Sequence, residues 1–448
     1  MKPVVRFAPS PTGLLHIGNA RTALVNWLFA QHHKGTFILR LDDTDLERSK
    51  EEYTQALLQD LKWLGVTYEA FHQQSKRLDR YDNAVKSLKK IGRLYPCYET
   101  PRELDFKRRL QRTQGLPPLY DRAALNLSEA EKKKYENEGR KPHWRFLLNA
   151  EAVSWDDLSR GELRFEQNTM SDPILIREDG TPVYTLSSVV DDIELGVTHI
   201  IRGEDHISNT AVQIQLLQAL EADITRFTFA HLPLLVGEQG ESLSKRFGSL
   251  SLQSLRQQGI ESLALVSYLV KLGTSEDIAP AFSGQQLIEE FNIKHFGRSS
   301  PRFSMSVLER LNAKFLHHVP YGSIKPRLKE LELDDIDNTL WEAIHGNINK
   351  LQDVAHFRHI CQGQIHPKIE DKTYVQQALE LLPPEPWDKE TWQEWTLLIK
   401  EKTGRRGKEL FMPLRLALTG EANGPEMHSL LPLIGRTKAE KRLAGIIA

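Results

Sequence analysis

Two stretches of this chain carry side chains suited to handling phosphate. In "RFAPSPTGLLHIGNAR", residues 6–21, His16 and Gly18 sit in a loop rich in proline and glycine. In "ESLSKRFG", residues 241–248, Lys245 and Arg246 sit between serines and a glycine. An imidazole can donate an N–H to a phosphate oxygen, and glycine lets a ligand come close to the backbone. A lysine is a compact, mobile cation suited to pyrophosphate. Arg6 and Arg202 offer planar forks that take a carboxylate bidentately. Asp42, Asp43 and Asp45 close the run "TFILRLDDTD" and offer negative charge. Taken singly, each stretch also reads as ordinary turn chemistry or a solvated strand end. The G-x-x-x-x-G-K-[ST] spacing is absent, so neither loop is of the Walker type.

The elements around these residues decide how they are presented. "KPVVRFA" reads as a short buried strand with Val4, Val5 and Phe7. "NARTALVNWLFA" reads as a helix, with Ala20, Ala23, Leu24, Trp27 and Leu28 on one face. A strand–loop–helix of this kind aims free backbone N–H groups and a positive helix end at one point. "TFILRLDDTD" predicts a second strand. "SKEEYTQALLQDLKWLGV" predicts a helix with a Ser49/Glu52 capping box and Tyr53, Leu57, Leu61 and Leu64 on its inner face. Alternating strand and helix implies a parallel sheet covered by helices, an α/β fold. From about Tyr95 the texture changes to prolines, a basic run, a helix near 128–138 and short strands through "HWRFLLNAEAVSWDDLSRGELRFE", which marks an inserted module. Alternation resumes near 174, and beyond 250 the periodicity is helical. Arg6 and Arg202 both fall at strand ends, where an α/β sheet opens a crevice.

The 448 residues suggest two to four domains, and 40% hydrophobic residues suffice for ordinary cores. A net charge of -1 gives no global sign of a nucleic-acid partner and leaves room for local basic surfaces. Two distant cysteines, Cys97 and Cys361, make neither a disulfide framework nor a local cysteine zinc site. The N-terminus lacks the apolar core of a signal peptide, and no apolar run approaches the ~20 residues of a membrane span. The expectation is a soluble cytoplasmic protein.

Together the two loops resemble the HIGH and KMSKS signatures of class I aminoacyl-tRNA synthetases. The flanking "RFAPSPTG", "LRLDDTD", "LPPLYDR", "VVDD", "IIRGEDH" and "LSKRFG" resemble glutamyl-tRNA synthetase, bacterial type. The likeness is strongest over the N-terminal two-thirds and continues through "TGRRGKELFMPLRLALTG". It implies a split Rossmann-type nucleotide-binding domain with an α+β insertion, followed by an all-α anticodon-binding region. The expected boundaries are 1–92 and 182–246 for the catalytic halves and 93–181 for the insertion. Residues 247–318 would form a stem-contact domain and 319–448 the anticodon-binding domain. The implied activity is glutamate–tRNA ligase, with ATP and Mg2+, L-glutamate and tRNA(Glu). A form that also or instead charges tRNA(Gln), the short relative that glutamylates a modified tRNA base, and a catalytically dead RNA-binding scaffold are the competing readings. By the same resemblance His16 and Lys245 are the catalytic pair. Thr12, His16, Gly18, Asn19, Glu204, Ser244 and Lys245 would bind ATP. Arg6, Ala8, Ser10, Asp42, Tyr184, Ser188 and Arg202 would bind glutamate. Lys107, Arg108, Arg109 and Arg112 would meet the acceptor end, and Arg405, Arg406 and Lys408 the anticodon arm. The chain would act as a monomer.

Several positions depart from the family pattern. Asp42 stands where members often have Glu, Asn19 replaces the last His of the first signature, and Ser242 replaces the opening Lys of the second. Ser188 stands where some relatives carry Asn. Zinc-binding members have a cysteine cluster at the start of the insertion. "YPCYET" keeps only Cys97, so no zinc is expected.

Overall fold

The structure is a computed structural model and describes residues 2–166, 169–243 and 250–448. It divides into two compact units, Met1–Gln257 with Val266–Ser304, and Gln258–Leu265 with Met305–Ala448.

The first unit is built on parallel strands. β1 (Val4–Phe7), β2 (Thr36–Leu41) and β3 (Ala70–Gln73) lie side by side in that order, with Arg6 opposite Ile38. α1 (Ile17–His32) and α2 (Glu51–Trp63) make the crossovers, and α3 (Leu78–Lys90) follows β3. Val5, Phe37 and Leu39 are fully buried, as expected for parallel strands covered on both faces. The capping box expected at Ser49 does not form. α2 starts later, with Lys50 at its N-cap and no side-chain cap, so Ser49 lies outside the helix. Glu51 and Glu52 still place negative charge in the first turn, where the helix dipole favours it.

Residues 93–181, the segment expected as an insertion, contribute β4 (Leu94–Cys97), α4 (Pro101–Thr113), α5 (Glu129–Asn137), β5 (His143–Phe146), β6 (Val153–Asp157), β7 (Gly161–Phe165) and β8 (Ile174–Ile176). β4, β5 and β8 form a small antiparallel sheet. The β6–β7 hairpin instead joins the main sheet, because β6 pairs with β10. α6 (Tyr184–Glu194), β9 (His199–Gly203), α7 (Ile207–Ala219) and β10 (Thr228–Leu232) complete that side, with β9 and β10 parallel and Arg202 opposite His231. The two parts of the sheet meet between β1 and the start of β9. There the Val4 amide donates to Thr198 Oγ1 (2.9 Å) and the Thr198 amide donates to Val4 O (2.9 Å). Strands run outward from this seam in opposite order, so a crevice opens beyond their carboxyl ends.

The second unit is helical. Its core gathers Trp341, Trp395, Leu414, Leu418 and Leu431, all buried. Arg442 is buried too, and its guanidinium donates to the carbonyls of Ile360, Leu418, Gly363 and Ala448. One long cation thus satisfies carbonyls that no helix could reach.

Candidate active site

The crevice is a cleft of about 690 Å³ lined by Arg6, Ala8, Ser10, Thr12, His16, Gly18, Asn19, Asp42, Tyr184 and Arg202. The sequence scatters these residues over β1, the first loop, the start of α1, the end of β2, α6 and β9, and the seam brings them to one mouth. The loop between β1 and α1 is tied to β2 by the Asp42 amide, which donates to Pro9 O (3.0 Å). Ser188 does not line the cleft: it is buried on α6, where its hydroxyl accepts from Gln213 Nε2 (2.9 Å). Glu204 stands just outside, accepting from the Leu234 amide (3.0 Å) and pairing with Arg160. Ser244, Lys245 and Arg246 lie outside the described residues. Residues flanking them reach the cleft on one side, through Ser242 and Leu243. On the other, the Leu252 amide donates to Leu15 O (2.9 Å) and the Ile17 amide to Leu250 O (3.3 Å).

His16 is the N-cap of α1, and its Nδ1 accepts from the Gly18 amide (3.1 Å). Burial lowers the pKa of His16, which favours the neutral ring. With Nδ1 accepting, the ring proton resides on Nε2, so the imidazole is an N–H donor from that atom. Of the backbone amides at this helix end, those of Ile17 and Gly18 are already taken, and the loop adds the imidazole as a donor. Glycine at 18 is what admits the ring: a Cβ there would lie 3.0 Å from His16 Cε1.

Arg202 is 5% exposed and held from several sides. Its Nη1 donates to Tyr184 Oη (3.2 Å), and its Nη2 to Thr210 Oγ1 (2.6 Å) and Gln213 Oε1 (2.7 Å). Its Nε faces His231 Nε2 at 3.4 Å. His231 in turn is oriented by Asp157, whose carboxylate accepts from Nδ1 at 2.6 Å. Every hydrogen-bond partner of Arg202 among the described residues is neutral. A buried guanidinium held only by neutral groups at a cleft wall is a site for an anion.

Arg6 is held differently. Asp192 accepts from its Nε (3.0 Å) and Nη2 (3.3 Å). The same carboxylate accepts from Arg40 Nη1 (2.8 Å), and Arg40 grips Asp42 through Nε (2.8 Å) and Nη2 (3.2 Å). Asp191 completes the group, accepting from Arg77 Nε (2.7 Å), Tyr81 Oη (3.0 Å) and Gln74 Nε2 (3.0 Å). Burial pushes the Asp42 carboxyl up to about 6, opposed first by Arg40. Arg40 itself is held protonated by Asp42 and Asp192 against the cost of burial. The cleft therefore has a cationic wall at Arg6 and Arg202 and an acid, Asp42, at the end of the neighbouring strand.

Residues 2–310 match the family described as tRNA synthetases class I (E and Q), catalytic domain, and residues 362–447 match an anticodon binding domain. The chain is 51% identical over 447 residues to glutamate–tRNA ligase 2 of Beijerinckia indica, covering 100% of this chain and 99% of that protein. It is 50% identical to the glutamate–tRNA ligase of Azospirillum brasilense, over 99% of both. The chain belongs to the glutamate–tRNA ligase family. Among solved structures, the glutamate tRNA ligase of Elizabethkingia meningosepticum, crystallised in complex with its amino acid, superposes with a TM-score of 0.86 at 26% identity over 99% of each chain. The family is one of class I aminoacyl-tRNA synthetases, enzymes with a Rossmann-type catalytic domain and, here, a helical anticodon-binding domain.

For this ligase the structure gives a place to residues that the sequence reading left without a role. Arg40, Asp191, Asp192, Asp157, His231, Thr210 and Gln213 hold the cleft residues in place. Of the basic residues expected to meet tRNA, Arg109 and Arg112 are exposed on α4. Lys107 pairs with Asp121 (3.0 Å) and Arg108 with Asp105 (2.9 Å). In the second unit Arg406 and Lys408 are exposed. Arg405 pairs with Asp371 and stacks over Tyr374 (4.1 Å).

Proposed function

We propose that the cleft binds L-glutamate and ATP, that Arg202 and Arg6 take the carboxylates of glutamate, and that Asp42 takes its ammonium. The observation that carries this reading is the buried Arg202 guanidinium among neutral partners, lining a cleft that the Asp42 carboxylate also lines. The glutamate α-carboxylate attacks the α-phosphate of ATP, giving glutamyl-adenylate and releasing pyrophosphate. A hydroxyl of the terminal ribose of tRNA(Glu) then attacks the acyl carbon, forming the ester and releasing AMP. Charge develops on phosphate oxygens in the first step, so positioning and neutralisation do most of the catalysis. His16 donates Nε2–H to a phosphate oxygen, and Lys245 neutralises the leaving pyrophosphate. Thr12, Gly18, Asn19, Glu204 and Ser244 border the nucleotide, and Ala8, Ser10 and Tyr184 border the amino acid. Ser188 acts at one remove, through Gln213 on Arg202. Mg2+ accompanies ATP and is held largely by phosphates and water. Lys107, Arg108, Arg109 and Arg112 serve the acceptor end of the tRNA, and Arg405, Arg406 and Lys408 its anticodon arm. The chain works as a cytoplasmic monomer.

The test is charging of labelled glutamate onto purified tRNA(Glu) and tRNA(Gln) in parallel. Charging of tRNA(Glu) alone is expected. Charging of tRNA(Gln) alone would replace the proposed tRNA partner, and charging of neither would refute the reading.

A further inference from the structure

Arg6 and Arg202 line the same cleft and are held in opposite ways. The Asp192 carboxylate grips Arg6 directly, whereas Asp157 reaches Arg202 only through the His231 ring. A guanidinium has five N–H groups. In Arg202, Nε faces His231, Nη2 serves Thr210 and Gln213, and Nη1 serves Tyr184. Among the described residues this leaves the second Nη1 hydrogen for a ligand. Asp157 ends β6, far in sequence from β9 and β10, and is buried with His231. Its Oδ2 accepts from His231 Nδ1 (2.6 Å), and its Oδ1 from the amides of His231 (3.2 Å) and Ser159 (3.1 Å). The turn beyond β6 closes on the same histidine, since the Ser159 hydroxyl (2.8 Å) and Arg160 Nε (3.1 Å) both donate to His231 O. Burial lowers the pKa of His231 and keeps the ring neutral. Against burial, the hydrogen bonds from His231 hold the Asp157 carboxyl below its ordinary value. A neutral ring that gives its Nδ1 proton to Asp157 carries its lone pair on Nε2. That lone pair faces two donors, the Thr210 hydroxyl (2.9 Å) and Arg202 Nε (3.4 Å).

We propose that Asp157 is a positioning residue for glutamate, acting on Arg202 by fixing the tautomer of His231. The inference rests on the reading of the cleft as the glutamate site. In the other tautomer an Nε2–H would meet the Arg202 Nε–H, and two donors would face each other across 3.4 Å. The guanidinium would lose the acceptor that fixes its Nε edge, and its free Nη1 hydrogen would turn away from the substrate carboxylate. An acid in direct contact would also fix the guanidinium, but it would offset the charge that the substrate carboxylate needs. The imidazole separates the two tasks. Asp157 sets direction, and the fork keeps its charge for the ligand. The competing reading is a structural tie, because β6 and β10 pair at Asp157 and Phe229. Such a tie uses the carboxylate and the ring, and is indifferent to what Nε2 offers Arg202.

The experiment compares the full chain as wild type, Asp157→Asn, His231→Gln and the double variant, by initial-rate charging with glutamate and ATP varied separately. Asparagine keeps the shape of Asp157 but can donate to Nδ1, which moves the ring proton to Nε2. Glutamine at 231 brings an amide oxygen near the place of Nε2, an acceptor that needs no tautomer. Asp157→Asn is expected to raise the KM for glutamate about tenfold, with the KM for ATP near that of the wild type. In the His231→Gln background the same change should move the KM for glutamate by less than about twofold. An equal rise in both backgrounds marks a structural tie and overturns the proposal. So does a folded Asp157→Asn enzyme with an unchanged KM for glutamate. Should Asp157→Asn fail to fold, the imidazole 15N shifts of histidine-labelled wild type decide, with His231 identified by the signal that His231→Gln removes. A neutral ring protonated at Nδ1 is expected, and one protonated at Nε2 would overturn the proposal. Wild-type protein that charges no glutamate refutes the reading of the cleft itself, and this proposal with it.

Discussion

Replacing Arg202 by lysine keeps the charge of the cleft wall and removes the fork. The guanidinium reaches Tyr184, Thr210, Gln213 and His231 with three nitrogens. An ammonium donates from one atom only, so it cannot hold these partners and a substrate carboxylate together. Loss of one charge-assisted bond to the substrate carboxylate costs about 1.5–3 kcal/mol. At about 1.4 kcal/mol per factor of ten, kcat/KM for glutamate falls roughly 10- to 150-fold. The partners left behind add a stability cost of about 1–3 kcal/mol, since Thr210 and Gln213 are buried and lose a donor. The assay is initial-rate charging with glutamate and ATP varied separately, on protein whose fold has been checked by circular dichroism. The expected pattern is a raised KM for glutamate with the KM for ATP near that of the wild type. A folded Arg202→Lys enzyme whose KM for glutamate stays within about threefold of wild type would refute the assignment, because uniform binding lost at this site must appear in KM.

Gly18→Ala pushes a methyl to 3.0 Å from His16 Cε1 and 3.1 Å from Nδ1, so the ring must shift. Charging at saturating glutamate should fall about tenfold or more, with the defect in ATP dependence and not in the KM for glutamate. Burial raises the Asp42 carboxyl to about 6, so its negative charge is present above that pH and lost as pH falls through it. Thus kcat/KM for glutamate should decline about tenfold per pH unit below that point, and Asp42→Asn should be lower throughout and lack this limb. In the second unit, Trp395 is fully buried and its indole N–H donates to Ala378 O (3.0 Å). Trp395→Ala should cost about 3–5 kcal/mol, read from denaturant unfolding of the full chain.

The sequence revealed the architecture of the catalytic half because parallel strands between helices leave strong periodic patterns. β1, α1 and β2 fall where "KPVVRFA", "NARTALVNWLFA" and "TFILRLDDTD" predict them. Several residues that line the cleft, among them Arg6, His16, Asp42, Tyr184 and Arg202, were singled out from the sequence. Those that hold them were not, although a signal was present. Arg40 interrupts the apolar "FILRL" and His231 the apolar "TFAHL", and both are completely buried. A charged or polar residue inside a parallel strand must have a partner, but the sequence does not name it. Asp42, a partner of Arg40, is only two residues on, but Asp192 for Arg40 and Asp157 for His231 come from other elements. The Ser49 cap failed for a local reason: the chain enters α2 one residue later than the pattern suggests, and the first-turn acids suffice.

The most direct measurement of the central claim is attachment of labelled amino acid to purified tRNA(Glu) by the full chain with ATP and Mg2+, with glutamine as competitor. The account predicts glutamate attachment that excess glutamine does not suppress, because the Arg202 site is built for a carboxylate and gains little from a neutral amide. Equal attachment of glutamine, or none of glutamate, would contradict it.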